Sequence, residues 1–251
     1  MTETILEGPT EWSALSEELK ERFTLSGRIP VSHWLLRENT ANKVGNPWPT
    51  QAVLYGILQA ARRRDLEGIR SYDARSVYDL YKALDKYPVA YKDVVVIGSL
   101  RPWIEVCCLA FGARSVTTVD YNPPISEYEE IRTVGVEAFE KEIRTYDMAL
   151  SYSSLEHDGL GRYGDAIDPD GDLKRMASYV DLLNPGGLFL LGVPNGQDAL
   201  FWNAHRIYGK IRFPMLTEKW RILDFFLDGF TRKRVLSLKD TYEQGWWVLR
   251  K

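Results

Sequence analysis

The sequence predicts an α/β protein: an open, mainly parallel, doubly wound sheet preceded by a helical segment. Three observations point there. After Pro88, short apolar β-branched runs alternate with helical stretches; those runs are apolar on both sides, as in strands covered on two faces; and Gly- and Pro-containing turns punctuate them. The 251 residues, 45% hydrophobic and 27% charged, exclude disorder as the main state. At ~150 residues per domain there is room for one sheet domain and a smaller part. The expected division is a helical extension over 1–89 and the α/β domain over 90–251.

In chain order, residues 10–22 and 50–64 have helix-forming composition, with Thr10 and Thr50 as N-caps. Ser76–Lys86 places Val77, Leu80, Tyr81 and Leu84 at helical spacing. Between them, Asn46-Pro-Trp-Pro-Thr50 must be an extended or turning connection, because each proline fixes its own φ and biases its predecessor away from helix. These N-terminal helices either form a lid or cover a sheet face. Asp93–Ile97 reads as a buried strand, Trp103–Phe111 as a helix, and Ser115–Val119 and Tyr146–Ser151 as the next strands. Asp172–Leu183 reads as a helix stopped by Asn184-Pro-Gly-Gly187, Leu188–Val193 as a fourth strand, and Arg221–Leu227 with Trp246–Leu249 as a closing hairpin.

Lys plus Arg number 32 against 35 Asp plus Glu, and a net charge of −3 creates no global field for nucleic acid or an anionic membrane. The basic run Arg62-Arg63-Arg64 is followed by Asp65 and Glu67 and reads as a solvated helix end. Adjacent Cys107 and Cys108 cannot close an ordinary disulfide loop and suit no zinc site, so they read as buried helix residues in a reducing compartment. Residues 1–7 lack a basic region followed by an apolar run, and no stretch approaches ~18 apolar residues. The expectation is a cytoplasmic protein with neither nucleic acid nor membrane as partner.

Chemistry concentrates where strands end. Gly98 follows the first buried strand, and Asp120, with Tyr121 and Asn122, ends the second. In a doubly wound sheet both lie in the ligand crevice, the glycine allowing close backbone approach and the carboxylate facing ribose hydroxyls. A dinucleotide requires Gly-x-Gly-x-x-Gly for its pyrophosphate. Here the turn is Gly98-Ser99-Leu100-Arg101-Pro102, which favours a nucleoside cofactor without phosphate, such as S-adenosylmethionine. Taken alone, Gly98 is equally a tight turn.

The order Gly98…Asp120, then Tyr146-Asp-Met-Ala-Leu-Ser-Tyr-Ser153-Ser154-Leu155-Glu156-His157, then Leu-Leu-Asn-Pro-Gly-Gly187 before a strand, resembles class I S-adenosylmethionine-dependent methyltransferases. Leu160–Asp165, Asp168–Asp172 and Asn203–Gly209 resemble more closely the family catalogued as domain of unknown function 268, over about residues 75–250. The resemblance implies a Rossmann-like sheet. It also implies a cofactor site of Gly98, Ser99, Pro102, Asp120, Tyr121, Asn122, Ser153, Ser154 and Leu155. Val96 stands where such enzymes carry an acidic residue, so the methionine end of the cofactor is held differently or the site has lost it; the alternative is then a non-catalytic binding module.

The loop after the Tyr146–Ser151 strand carries Glu156, His157, Asp158, Arg162, Tyr163, Asp165, Asp168, Asp170 and Asp172. Methyl transfer to a hydroxyl needs alignment and a base, and a histidine with a pKa near ~6.5, tuned by Glu156, can serve. His157 is the first candidate and His205 the second; each could instead hydrogen-bond or pack its own loop. Arg162, Tyr163, Asp165, Trp202, Asn203 and Arg206 are the expected contacts to a small-molecule or glycan acceptor. The series Asp165, Asp168, Asp170, Asp172 could hold a divalent metal, but helix capping near Leu173 accounts for Asp170 and Asp172 without one, so no metal ligand is assigned.

Overall fold

The computed structural model describes residues 6–37, 47–69, 73–227 and 242–251. Residues 1–5 of the N-terminal stretch read above, and Asn46 of the proline segment, lie outside them. The strands are β1 (Val31–His33), β2 (Asp93–Ile97), β3 (Ser115–Asp120), β4 (Ile131–Gly135), β5 (Tyr146–Tyr152), β6 (Leu183–Gly192), β7 (Asn195–Gly196), β8 (Ala199–Trp202), β9 (His205–Ile207), β10 (Arg221–Phe226), β11 (Tyr242–Glu243) and β12 (Trp246–Arg250). The helices are α1 (Glu17–Thr24), α2 (Gln51–Arg62), α3 (Ala74–Lys86), α4 (Trp103–Ala110), α5 (Val136–Phe139), α6 (Gly171–Ser178) and α7 (Arg212–Leu216).

The central sheet has the order β10-β12-β6-β5-β2-β3-β4. Strands β6, β5, β2, β3 and β4 are parallel, whereas β12 runs antiparallel to β6 and β10 antiparallel to β12, the closing hairpin anticipated from sequence. Alternation along each strand builds two cores. Val94, Val96, Met148, Leu150, Leu188 and Leu190 meet α2, α3 and α4 on one face. Val95, Ile97, Ala149, Phe189 and Leu191 meet Phe139, Met176 and Leu216 from α5, α6 and α7 on the other. Because both faces are covered, the strands read as continuous apolar runs. Helices α2 and α3 therefore cover a sheet face, sharing one core with residues beyond position 90.

Three expectations change. The first helix begins at Ser16, whose hydroxyl accepts from the Leu19 amide at 3.2 Å, because the Thr10 hydroxyl donates to the Gly8 carbonyl at 3.1 Å and caps nothing. The helix expected through Leu183 ends at Ser178, and Leu183 already pairs with Tyr146. Asn184-Pro-Gly-Gly187 is thus a loop-out inside β6: the next partners are Met148 and Leu188, and Asn184 Nδ2 donates to the Asp147 carboxylate at 2.8 Å. A small sheet of β1, β8 and β9 was not foreseen; its strands are three or four residues long, too short to show periodicity. Among the described residues, no helix is long and apolar enough to cross a membrane.

Candidate functional site

A cavity of about 320 Å³ opens at the carboxyl ends of β2, β3 and β4, between α5 and α6. Gly98 and Asp120 both line it. Gly98 takes φ +69°, a left-handed conformation costly for other L-residues, and its amide donates to the Val119 carbonyl at 2.8 Å. Its missing side chain is filled by protein rather than left for a ligand: a Cβ here would lie on the Ser154 hydroxyl and 2.5 Å from Ser154 Cβ. Asp120 fixes the turn by accepting from the Ser99 amide at 3.3 Å and the Asn122 amide at 2.8 Å. One backbone donor on each carboxylate oxygen leaves each with a free acceptor position. Burial raises the Asp120 pKa above its ordinary value.

Its apolar walls include Val136, Phe139, Tyr179 and Leu182, and Tyr121 also lines it, its hydroxyl accepting from Arg175 Nη2 at 3.1 Å. Ser154 lines the cavity, Ser99 is buried with its hydroxyl donating to the Arg101 carbonyl, and Leu155 is core. Pro102 is the N-cap residue of α4 and faces a second cavity, of about 560 Å³, with Trp48, Leu100, Arg101 and Trp103. Asp158, on the polar loop, also lines the first cavity, and burial pushes its carboxyl up to about 8 against the pull of Arg175. Arg175 and Tyr179 were not singled out from sequence, and Asp158 was named only as one of the polar loop's ionisable groups; the four-residue spacing of Arg175 and Tyr179, one helical turn, was the available signal.

Beyond the cavity, the loop turns into a 3-10 segment over Leu155–His157. Ser153, at φ +55°, donates its hydroxyl to Glu156 Oε1 at 2.9 Å, while Glu156 Oε2 is buried with no hydrogen-bond partner among the described residues. Burial raises the Glu156 carboxyl to about 7. His157 Nδ1 lies 2.6 Å from the Ala204 carbonyl. A carbonyl only accepts, so Nδ1 carries the proton and Nε2 presents a lone pair, 3.9 Å from Glu156 Oε1. Burial, then the Arg162 charge, lowers His157 to about 3, well below the free histidine range assumed from sequence. His205, stacked on Phe201 with centroids 5.0 Å apart, is lowered to about 4 by burial and the same arginine, and its Nε2 is buried with no hydrogen-bond partner among the described residues. Neither histidine lines the cavity.

The Ala204 carbonyl gathers His157 and Arg162, which donates to it at 3.1 Å and lies over the Tyr163 ring. Asp165 instead ties its own loop, accepting from the amides of Gly159, Gly161 and Tyr163. Trp202, Asn203 and Arg206, expected at an acceptor surface, are interior. Trp202 packs on Trp12 and Phe23 and donates to the Thr10 carbonyl at 2.9 Å. Asn203 accepts from the Leu36 amide at 2.8 Å. Arg206 donates to the Asp158 carbonyl at 2.6 Å, binding the loop from beneath. The acidic series disperses: Asp168 pairs with Lys174, Asp170 with Arg22, and Asp172 with Arg212 and the Tyr208 hydroxyl. Among the described residues, no group of His, Cys, Asp and Glu could hold a metal ion.

A family model described as "Caenorhabditis protein of unknown function, DUF268" matches residues 91–245. No curated protein matches the chain. Among solved structures, Burkholderia thailandensis 1,6-didemethyltoxoflavin-N1-methyltransferase, with bound 1,6-didemethyltoxoflavin and S-adenosylhomocysteine, is similar at 18% identity. That match covers 83% of this chain and 93% of that one, with a TM-score of 0.52. The N-methyltransferase NodS from Bradyrhizobium japonicum WM9, in complex with S-adenosylhomocysteine, matches at 13% identity over 78% of this chain and 98% of that one, TM-score 0.47. The chain spans about half (49%) of a Streptococcus mutans protein assigned to the SAM-dependent methyltransferases, at 13% identity over 70% of this chain and TM-score 0.48. At these identities the likeness is one of fold, the Rossmann-like doubly wound sheet.

Proposed function

The chain belongs to the DUF268 family, and on that premise we propose that it is an S-adenosylmethionine-dependent methyltransferase acting on a hydroxyl of a small molecule or glycan. The observation that carries the reading is the cavity at the strand ends, where Asp120 holds the Gly98-Ser99 turn and keeps an acceptor position open on each carboxylate oxygen. Those positions fit a ribose diol, and the apolar walls Val136, Phe139 and Tyr179 fit a flat base. Gly98, Asp120, Tyr121 and Ser154 would hold the nucleoside. When bound, S-adenosylmethionine supplies an electrophilic methyl group on a sulfonium sulfur.

The rest falls to the chain's own residues. The Ala204 carbonyl fixes the His157 tautomer so that Nε2 can receive the proton of an acceptor hydroxyl. Ionised Glu156, 3.9 Å away, would stabilise the imidazolium that forms. Because Glu156 ionises near 7 and His157 is a weak base by itself, turnover should rise with pH through neutrality. The other reading, a non-catalytic binding module, draws support from the low proton affinity of both histidines.

Calorimetric titration with S-adenosylhomocysteine tests the proposal. Binding is expected, and D120A should weaken it ~10-fold or more through loss of charge-assisted hydrogen bonds. A folded wild-type protein that binds neither S-adenosylhomocysteine nor S-adenosylmethionine sinks the reading. Binding without methyl transfer to any hydroxyl acceptor, across pH 6–9, favours the module.

A further inference from the structure

The second cavity, of about 560 Å³, shares no described lining residue with the one that holds Gly98 and Asp120, and the cofactor reading gives it no role. Its apolar walls are Trp48, Trp103, Ile57 and Leu100. Trp103 is held by edge contacts with Tyr152 and Trp246, at 5.4 and 5.9 Å between ring centroids. Trp48 is held by its backbone: Pro47 and Pro49 restrict φ on either side of it, and its amide donates to the Ile125 carbonyl at 3.0 Å. The Trp48 ring itself is left without polar or aromatic company. Only 6% exposed, it packs on no other aromatic ring among the described residues, and its Nε1 hydrogen has no acceptor there. Buried indole N–H groups ordinarily find a partner, because an unpaired donor keeps its full desolvation cost. Arg101, on the same wall, is exposed and has neither an ion pair nor a side-chain hydrogen bond among the described residues.

We propose that this cavity is a separate ligand site for a flat aromatic carboxylate, its rings against Trp48 and Trp103 and its carboxylate on Arg101. The chemistry of the lining selects the class. Every polar side-chain group on the described wall is a donor, the Arg101 guanidinium and the Trp48 indole N–H, and no Asp, Glu, Ser, Thr, Asn or Gln stands among them. The ligand must therefore bring the acceptors. A single guanidinium, the one charged group on the described wall, matches a single carboxylate through two parallel N–H···O bonds and leaves a dianion half neutralised. All other surface is indole, aliphatic or proline ring, and rigid aromatic rings cover it at little cost in conformational freedom. A glycan fits poorly, since its hydroxyls need acceptors as well as donors. The volume lies within the range of small-molecule sites.

Calorimetry on the full chain tests this with naphthoate, with naphthylmethanol, which has the same rings and no charge, and with acetate, which has the charge and no rings. Wild type should bind naphthoate ~10-fold or more tightly than the alcohol, through charge-assisted hydrogen bonds, and acetate at equal concentration should not displace it. Leu100 is 63% exposed and Arg101 is exposed as well, so both can be replaced without touching the core. R101Q should bring the preference for naphthoate over the alcohol to about one. L100E, which sets a like charge at the site, should weaken naphthoate ~10-fold or more and leave the alcohol unchanged. Circular dichroism establishes that each variant is folded. Equal binding of naphthoate and alcohol by wild type, a preference that survives R101Q, or displacement by acetate overturns the proposal. So does competition between naphthoate and S-adenosylhomocysteine together with loss of the latter in R101Q, which would assign Arg101 to the cofactor's own carboxylate. Folded wild type that binds S-adenosylhomocysteine but not naphthoate overturns this proposal and leaves the cofactor reading standing; the reverse result does the opposite.

Discussion

Replacing Gly98 by alanine separates two costs that the structure makes distinct. The first is conformational: at φ +69° an L-residue pays ~1–2 kcal/mol for the left-handed region. The second is steric. The new methyl group would sit 2.5 Å from Ser154 Cβ, with Ser154 Cα at 3.8 Å, and while the serine hydroxyl can rotate away, its Cβ moves only with the backbone. Overpacking of this kind costs ~1–3 kcal/mol, so G98A should destabilise by about 2–5 kcal/mol in all. In an S154G background the steric part disappears and only the conformational ~1–2 kcal/mol remains. Urea unfolding of the four proteins in the double-mutant cycle, at matched slopes, reads both numbers. Equal costs of G98A in the two backgrounds would refute the packing of Ser154 against Gly98 as the reason for a glycine at this turn.

Removing Asp172 should be expensive, because it takes Arg212 at 2.5 Å and the Tyr208 hydroxyl at 2.9 Å in a fully buried network. D172A is expected to lose ~3–5 kcal/mol in urea unfolding, leaving Arg206 and Arg212 uncompensated. Burial pushes this carboxyl up, but the Arg206 and Arg212 charges outweigh it and hold the folded pKa below 3.8. Its stabilisation is therefore complete above the unfolded pKa and lost as pH falls through the folded one, so D172N should flatten stability against pH below about 4. Glu156 has the opposite sign: raised in the fold from 4.5 to about 7, it costs stability as pH rises between those values, and E156Q should be more stable than wild type by about 3 kcal/mol at pH 8. A wild type whose stability is flat from pH 5 to 8 contradicts that assignment. Finally, W202A should cost ~3–5 kcal/mol by emptying the Trp12–Phe23–Trp202 cluster and leave S-adenosylhomocysteine affinity unchanged; affinity falling with stability preserved would return Trp202 to the site.

Most of the sheet was legible in the sequence because its central strands are covered on both faces, whereas the edge strand β4, buried only at Ile131 and Val134, was not read. Val94, Val95, Val96 and Ile97 must all be apolar when alternate positions enter different cores, and a continuous apolar run is visible without knowing its neighbours. The same holds for the pair Gly98 and Asp120, whose 22-residue separation is the length of one strand-helix-strand unit. Elements stabilised by distant partners were not legible. The Asn184–Gly187 turn has the composition of a helix stop, yet Leu183 is drawn into the sheet by Tyr146. Trp202, Asn203 and Arg206 look like a polar recognition loop until Thr10, Leu36 and Asp158 supply interior hydrogen bonds from far along the chain.

By itself, then, the sequence determined the two-sided layering, the strand ends at Gly98 and Asp120, and the carboxylate that lines the crevice, because each depends on local period and spacing, whereas β4, whose end also opens on the crevice, was not read from it. Only the tertiary structure decided which ionisable groups face that crevice and in what protonation state. The acidic loop contains Asp158, Asp165 and Asp172 within fifteen positions, and nothing local distinguishes them. Burial and partners do: Asp165 takes three loop amides, Asp172 takes buried Arg212, and Asp158, its side chain 13% exposed, lines the cavity 3.9 Å from Arg175 Nε. The free energy of a charge depends on what surrounds it, and here those surroundings come from residues tens of positions away.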